Sequence, residues 1–178
     1  MKKLLIILVA IFGITTIKAQ QPSVERSIWG VQVGGLTVRA YNETRLSNNI
    51  ALRVEAGYVG NALMSFSLWH FVAYPEISVQ PRFYYNLQRR HQNGRVISNN
   101  AADFLTLNIF AVPRWGWALS DDVGDITGGV GFAPMWGMRR NLGNHFEYEL
   151  GAGVGYIFGF DGNSGVLPRL HFRIGYRF

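Results

Sequence analysis

Apolar and polar residues alternate along most of the chain, most clearly in its last stretch. Every second residue from 170 to 178 is large and apolar, while arginine, histidine and glycine fill the positions between. A period of two is typical of a β-strand with one apolar face, because successive side chains of a strand point to opposite sides. The pattern predicts a strand running to the last residue, and its apolar face consists of Leu170, Phe172, Ile174, Tyr176 and Phe178.

Further runs repeat this pattern, so the sequence predicts an all-β protein with antiparallel strands. The run from 146 to 158 has aromatic and aliphatic residues on one face, and Glu147, Glu149 and several glycines on the other. Small residues beside long charged ones suit the inside of a narrow barrel, where eight strands leave just enough room for side chains. We therefore expect an eight-stranded antiparallel β-barrel. Shorter alternating runs lie at 50–58, 77–85, 105–111 and 130–136.

Two interpretations of the strand count lead to eight strands. In the first, residues 26–46 form two strands that turn at glycines 34 and 35, where the alternation changes phase. In the second, residues 115–119 form a separate short strand that turns at 121–125, which reverses the side of every earlier turn. Pro81 and Pro134 are the weak points of the assignment, because proline cannot donate a hydrogen bond within a central strand.

The first 19 residues have the features of a secretory signal peptide, so we predict a leader at 1–19 and one domain at 20–178. An apolar segment follows a positive start, and Ala19 lies at the expected cleavage site. All lysines lie in this leader, and the rest of the chain has 14 arginines against 11 acidic residues, which removes support for nucleic-acid binding. The absence of cysteine excludes a disulfide-rich module, and the chain is too short for a wide pore.

The ending of the chain resembles a known assembly signal. A final phenylalanine, preceded at every second position by large apolar residues, is similar to the C-terminal signal that the barrel-assembly machinery reads. With the leader and the strand pattern, it makes the chain similar to the small outer-membrane β-barrel proteins of Gram-negative bacteria, such as OmpX, OmpW and the membrane domain of OmpA. This resemblance implies a transmembrane barrel in the bacterial outer membrane, in contact with lipid and lipopolysaccharide and inserted by that machinery. We also expect a monomer; a soluble, lipocalin-like barrel is the alternative.

If the apolar faces meet lipid, the charged residues of the opposite faces point into the lumen. Unpaired charges are costly in so narrow a space, so we expect arginine–carboxylate pairs, with Glu147 and Glu149 facing Arg173 and Arg177 across the last hairpin. A structural role for this network and a narrow path for ions or a small solute are both open. The expected lumen charges are Arg39, Glu43, Arg45, Arg53, Glu55, Glu76, Arg82, Glu147, Glu149, Arg173 and Arg177.

The most polar segment, residues 86–103, is too long and too charged for a tight turn. It contains the basic group Arg89, Arg90, His91 and Arg95. Outside the cell these side chains could bind lipopolysaccharide phosphates, and inside they could meet peptidoglycan or a periplasmic partner. The simpler interpretation is a solvated loop whose charges keep it out of the bilayer.

Catalytic and metal sites have little support in the sequence. A lipid-modifying barrel would need a serine, a histidine and an acid near the membrane edge. The candidates are His70 with Ser65 and Ser67, and His145 with Glu147. The histidines show no metal-ligand spacing, so no metal or other cofactor is expected. We expect a non-enzymatic barrel with a closed, charge-paired lumen, which acts in envelope integrity or in surface or periplasmic interactions through its loops. A narrow channel and a lipid-modifying enzyme are the alternatives.

Overall fold

The computed structural model describes residues 21–65, 68–118 and 127–178. The predicted leader lies outside these residues. Within the described ranges, no helix is long and apolar enough to cross a membrane. The elements of this part of the chain are β1 (Ser27–Gly34), β2 (Thr37–Arg45), β3 (Ile50–Ser65), β4 (Leu68–Phe83), α1 (Leu87–Gln92), β5 (Asp103–Val112), β6 (Trp117–Ala118), β7 (Gly129–Leu142), β8 (Phe146–Gly159) and β9 (Ser164–Arg177).

The strands form a closed antiparallel barrel of eight strands, which confirms the predicted fold class. Apart from β6, each strand pairs with the next along the chain, and β1 closes the ring by pairing with β9 from Gly30↔Arg177 to Val33↔Ile174. β6 follows β5 after a break and also pairs with β4. β5 and β6 therefore occupy one position in the barrel, so nine segments make eight strands.

The first interpretation of the strand count is correct. β1 and β2 form a hairpin that turns at Gly35, whose φ of +58° is a left-handed conformation that glycine adopts without strain. Residues 117–118 extend the fifth strand instead of forming a separate one. The alternative turn at 121–125 lies outside the described residues.

Pro81 and Pro134 lie inside strands, where each interrupts the pairing with one neighbour only. β4 and β5 pair on both sides of Pro81 but not at it, and Thr106 Oγ1 donates to Pro81 O at 2.9 Å in that gap. β7 and β8 similarly skip residues 133–134. Pairing with the other neighbour stays continuous through both prolines, which is how the barrel tolerates them.

The two ends of the barrel differ. The end at which β9 stops, which we call the base, also has the turns at 46–49 and 143–145 and the long segment 84–102. The opposite end, which we call the rim, has the turns at 35–36 and 160–163. Segment 84–102 contains α1 and covers the base with a small apolar cluster. This cluster consists of Val24, Ala51, Tyr84, Leu87, Ala102 and Phe104.

Side chains alternate between the outer face and the lumen as the period of two predicts. On β9, Leu170 is 78% exposed on the outer face, while Arg173 and Arg177 are buried on the inner face. β7 alternates in the same way from Gly129 to Arg139. Apolar residues therefore cover the outside and charged residues fill the inside, which is the reverse of the polarity of a water-soluble protein.

Candidate functional site: the charged lumen

The lumen contains a buried network of arginines and glutamates. All members except Arg169 are buried, and the Arg169 side chain is 15% exposed. Among the described residues the network has seven arginines and five glutamates, which leaves an excess of two positive charges. Its members are Arg39, Arg53, Arg82, Arg139, Arg169, Arg173, Arg177, Glu43, Glu55, Glu76, Glu147 and Glu149.

Glu149 on β8 is the centre of the half of the network nearer the base. Its two oxygens accept hydrogen bonds from Arg82 at 2.8 and 3.0 Å, a bidentate pair. Arg139 Nη2 donates both to Glu149 Oε2 and to Glu43 Oε2, each at 2.9 Å. These contacts join β2, β4, β7 and β8 through the lumen, in addition to the backbone pairing between neighbouring strands.

Neutral side chains complete this half of the network. Glu147 Oε1 accepts hydrogen bonds from the Tyr41 hydroxyl at 2.7 Å and from Gln32 Nε2 at 2.6 Å. Its other oxygen accepts one from Arg177 Nη1 at 3.0 Å. The guanidinium carbon of Arg53 lies 3.6 Å from the centroid of the Tyr41 ring, which offers a buried cation a favourable π-face.

The half nearer the rim is built on Glu55 and Glu76. Glu76 accepts hydrogen bonds from Arg39 at 2.8 Å and from Arg169 at 3.0 Å, one on each oxygen. Glu55 accepts one from Arg173 at 3.1 Å and also pairs with an arginine of the other half. Three arginines therefore share two carboxylates here, and positive charge is in excess.

The structure places ten of the eleven predicted lumen charges inside the barrel. Arg45 is the exception, and its prediction as a lumen charge is wrong. It is the last residue of β2 and its side chain is exposed, because the strand ends there at the base and no barrel wall surrounds it.

Sequence reasoning missed Arg139 and Arg169. The apolar run that starts at Val130 continues to Met138, and extending it would have put Arg139 on the inner face. Arg169 has the same parity on β9 as Arg173, which is a lumen residue. In both cases the alternation contained the signal.

The predicted pairing across the last hairpin is half right. Arg177 pairs with Glu147 at 3.0 Å. Arg173 lies directly opposite Glu149 in the register of β8 and β9, yet it donates to Glu55 instead. In a narrow barrel long side chains point towards the axis, so the partner of a charge can lie across the lumen rather than on the next strand.

Glycines on the inner face make room for large neighbours, as the sequence predicts. A Cβ atom at Gly151 would collide with the imidazole of His171, and one at Gly137 would collide with the ring of Phe104. The lumen is therefore filled by side chains, and the small residues are as necessary to its packing as the charged ones.

The predicted assembly signal forms an apolar row on the outer face of β9. Exposure along the row ranges from 42% at Ile174 and Tyr176 to 80% at Phe178. Tyr176 contacts Phe146 and Phe178 in edge-to-face geometry, with ring centroids 5.3 and 5.6 Å apart. The row is thus ordered but open to contact from outside the barrel.

The basic group of segment 84–102 lies at the base. Arg89, Arg90 and His91 belong to α1, and Arg95 follows it. Arg90 is buried and donates through Nη2 to the backbone oxygen of Val96 at 3.0 Å, so it holds the segment together. The other three side chains are exposed and available to a partner.

Asn100 attaches the same segment to the lumen network. Its Nδ2 donates to Glu43 Oε1, and its Oδ1 accepts a hydrogen bond from the backbone of Glu25 at 2.6 Å. Asn99 and Asn100 both have positive φ angles, of 55° and 58°, a region that asparagine enters more readily than most residues. The bend that they form brings a fully buried amide into the base of the lumen.

The candidate catalytic residues do not form a site in the described chain. The His145 ring stacks on Tyr176 outside the lumen, whereas Glu147 is buried inside it. The side chains of Ser65, Ser67 and His70 lie outside the described residues. In the part of the chain that the structure describes, no cluster of three histidine or acidic side chains is placed to hold a metal ion.

Comparisons with known proteins assign the chain to no family. No family model matches the sequence, and neither a curated protein nor a solved structure is significantly similar to it.

Proposed function

We propose that this protein is a non-enzymatic β-barrel of the bacterial outer membrane with a closed lumen. The observation that carries the proposal is the reversed polarity of the barrel. Val166 and Leu170 are 71% and 78% exposed on the outer face, while Arg82 and Glu149 are fully buried inside. Exposing such a surface to water would be unfavourable, whereas a lipid bilayer is the solvent that it fits.

Aromatic residues on the outer face support the same location. Trp29, Phe146 and Phe178 are exposed near the base, and Trp115 and Phe158 are exposed near the rim. Transmembrane barrels have an apolar band about 25 Å tall with a girdle of aromatic residues at each interface. The two groups of this barrel lie near its opposite ends, which supports the proposed location.

The orientation follows from the proposed location. In the family that the sequence resembles, the C-terminal strand ends in the periplasm, so the base faces the periplasm and the rim faces outwards. Arg89, His91 and Arg95 then face the periplasm, which favours peptidoglycan or a periplasmic protein over lipopolysaccharide as their partner. Lipopolysaccharide would surround the rim, and the apolar row of β9 would meet the barrel-assembly machinery during insertion.

The filled lumen favours a role in envelope integrity or in interactions through the loops over transport. The Arg82–Glu149 pair crosses the lumen, and segment 84–102 covers its base through Asn100. Both obstacles consist of buried, mutually hydrogen-bonded groups. A path for ions would require them to separate.

Cell fractionation followed by gel electrophoresis with and without boiling tests the location. We expect a heat-modifiable band in the outer-membrane fraction, because closed membrane barrels resist detergent until heated. A soluble periplasmic band without a mobility shift would contradict the proposal.

Planar-bilayer recording of the purified barrel tests the closed lumen, with a general porin as the positive control. We expect no steady conductance, and reproducible unitary currents would favour the narrow channel. Mass spectrometry of lipid A from cells with and without the gene tests the non-enzymatic role. A change in acylation would contradict it.

A further inference from the structure

The barrel wall has a gap on the rim side of the β1–β2 hairpin. β1 pairs with β9 only from Val33↔Ile174 towards the base. β2 pairs with β3 up to Val38↔Tyr58, and Gly60 N of β3 donates one further hydrogen bond to Leu36 O in the turn at 3.1 Å. β9 continues to Ser164 beyond this level, with β8 on one side only. In the described residues no strand pairs with its other edge, and Pro168 lies on this stretch, as is common for edge strands.

A cavity of about 740 Å³ opens at this gap. Its volume is within the range of small-molecule sites, about 300–1,000 Å³. Its polar lining includes Arg39, Arg169 and Arg173 from the half of the network nearer the rim, together with Asn108 and His171. Apolar side chains form much of the rest of its wall, and those that point inward are Val59, Met135 and Leu167.

Two arginines of this cavity have N–H donors without an acceptor. Within the described part of the chain, Arg39 Nε and Arg169 Nε are buried and have no hydrogen-bond partner. The Arg39 side chain is only 3% exposed, so the cost of an unsatisfied donor is substantial. Three arginines share two glutamates, so an anion would supply both the missing acceptor and the missing charge.

The cavity opens on the apolar outer face of the barrel, which we call the belt. Leu36, Leu170 and Phe172 line it and are 54%, 78% and 55% exposed on the outside. A ligand whose polar end reaches the arginines would therefore pass its other end across apolar surface. The lining of the cavity is therefore complementary to an anionic amphiphile, because it is cationic on the lumen side and apolar at the opening.

We propose that this cavity binds one amphiphile with an anionic carboxylate or phosphate headgroup and an acyl chain. The headgroup accepts hydrogen bonds from Arg39 and Arg169, and the chain leaves through the gap between the hairpin and β9. The proposal rests on the proposed membrane location for the source of the ligand, since the gap would then open into the bilayer. Binding itself is measurable in detergent, without a membrane.

Native mass spectrometry of the folded barrel in a neutral detergent tests this. The probes are palmitate, 1-palmitoyl lysophosphatidate, the neutral analogue hexadecanol, and inorganic phosphate. We expect one palmitate or one lysophosphatidate per barrel, and the stronger of the two identifies a fatty acid or a phospholipid as the source. Hexadecanol and inorganic phosphate should bind at least tenfold more weakly. Equal binding of hexadecanol, or no bound amphiphile, would overturn the proposal.

Two pairs of variants locate the ligand. Arg169→Gln removes a donor at the cavity and should weaken binding about tenfold, because a charge-assisted hydrogen bond is lost. Arg140→Gln removes a comparably buried arginine from an ion pair at the base and should bind like the unaltered protein. Leu167→Trp fills the cavity and should abolish binding, whereas Leu142→Trp on the outer face should not.

Heat modifiability of each variant shows whether the barrel has folded, so a folding defect is not mistaken for lost binding. Retained binding by folded Leu167→Trp would place the amphiphile on the outer belt and contradict the proposal. A soluble periplasmic band in the fractionation experiment would refute the membrane location. The binding result would remain valid, because binding is measured in detergent.

Discussion

Replacing Glu149 by glutamine tests whether the lumen network holds the barrel together. Glu149 is fully buried, forms the bidentate pair with Arg82, accepts a hydrogen bond from Arg139 and lies 3.6 Å from Arg53. Glutamine keeps the size of the side chain but removes its charge. Three buried guanidinium groups would then face a neutral amide, in a lumen that already has an excess of positive charge.

The expected cost is large because breaking a buried pair leaves an uncompensated charge, typically at about 3–5 kcal/mol. For a chain of this size each kcal/mol lowers the unfolding temperature by about 2–4 °C, so the midpoint should fall by on the order of 10 °C. The assay is the temperature at which half of the protein reaches the unfolded position on a gel. Bilayer conductance should not change.

Charge balance supplies the controls for this experiment. Arg82→Gln breaks the same pair but reduces the positive excess, so it should lower the midpoint by less than half as much as Glu149→Gln. Asp161→Asn removes a negative charge from an exposed turn of the rim and should leave the midpoint unchanged. The reasoning is refuted if Glu149→Gln keeps the unaltered midpoint, or if it produces a stable conductance without loss of stability.

Three further predictions concern packing, the base and assembly. Gly151→Val should reduce the heat-modifiable fraction severely, because its side chain would collide with a packed imidazole, whereas Gly165→Val, with nothing within 4 Å of an added Cβ, should fold normally. Tyr84→Phe should lower the unfolding midpoint by about 3–12 °C, because it loses the 2.6 Å hydrogen bond to Glu43, which contributes about 1.5–3 kcal/mol. An unchanged midpoint would argue against this contact. Deleting Phe178 should sharply reduce the amount of folded protein in cells. Barrel refolded in detergent should keep its unfolding midpoint, because this side chain is 80% exposed. A loss of folded protein in cells together with a lowered midpoint in detergent would mean that Phe178 acts through packing.

The strand faces were predictable from the sequence because alternation is a local property. Each strand needs only its own period of two to assign Leu170 to the outside and Arg173 to the inside. The hairpin at Gly35 was predictable for the same reason, since a change of phase marks a turn. Arg45 shows what alternation cannot predict. The pattern assigns a residue to the inner or outer face, but it does not show where the strand leaves the barrel wall.

The partners within the lumen were not predictable. Glu149 finds Arg82, 67 residues earlier in the chain, and that contact exists only once the barrel has closed. The short β1–β2 hairpin and the longer β9 leave a gap that depends on the register of β1 and β9, which no run of residues reveals. Segment 84–102 is charged in sequence, yet its few apolar residues decide its position over the base.

The energetics of the lumen also argue against a conduit. A path along the axis would require at least the Arg82–Glu149 pair to separate and Asn100 to leave Glu43. At about 3–5 kcal/mol for a buried ion pair and about 1.5–3 kcal/mol for a hydrogen bond to a charged group, opening costs roughly 5–8 kcal/mol. Since each 1.4 kcal/mol is a factor of ten, about one barrel in 10⁴ to 10⁶ would be open. The cavity at the gap needs no such opening, because it already opens on the apolar outer face of the barrel. The contacts therefore favour a barrel that is closed along its axis and accessible from its side.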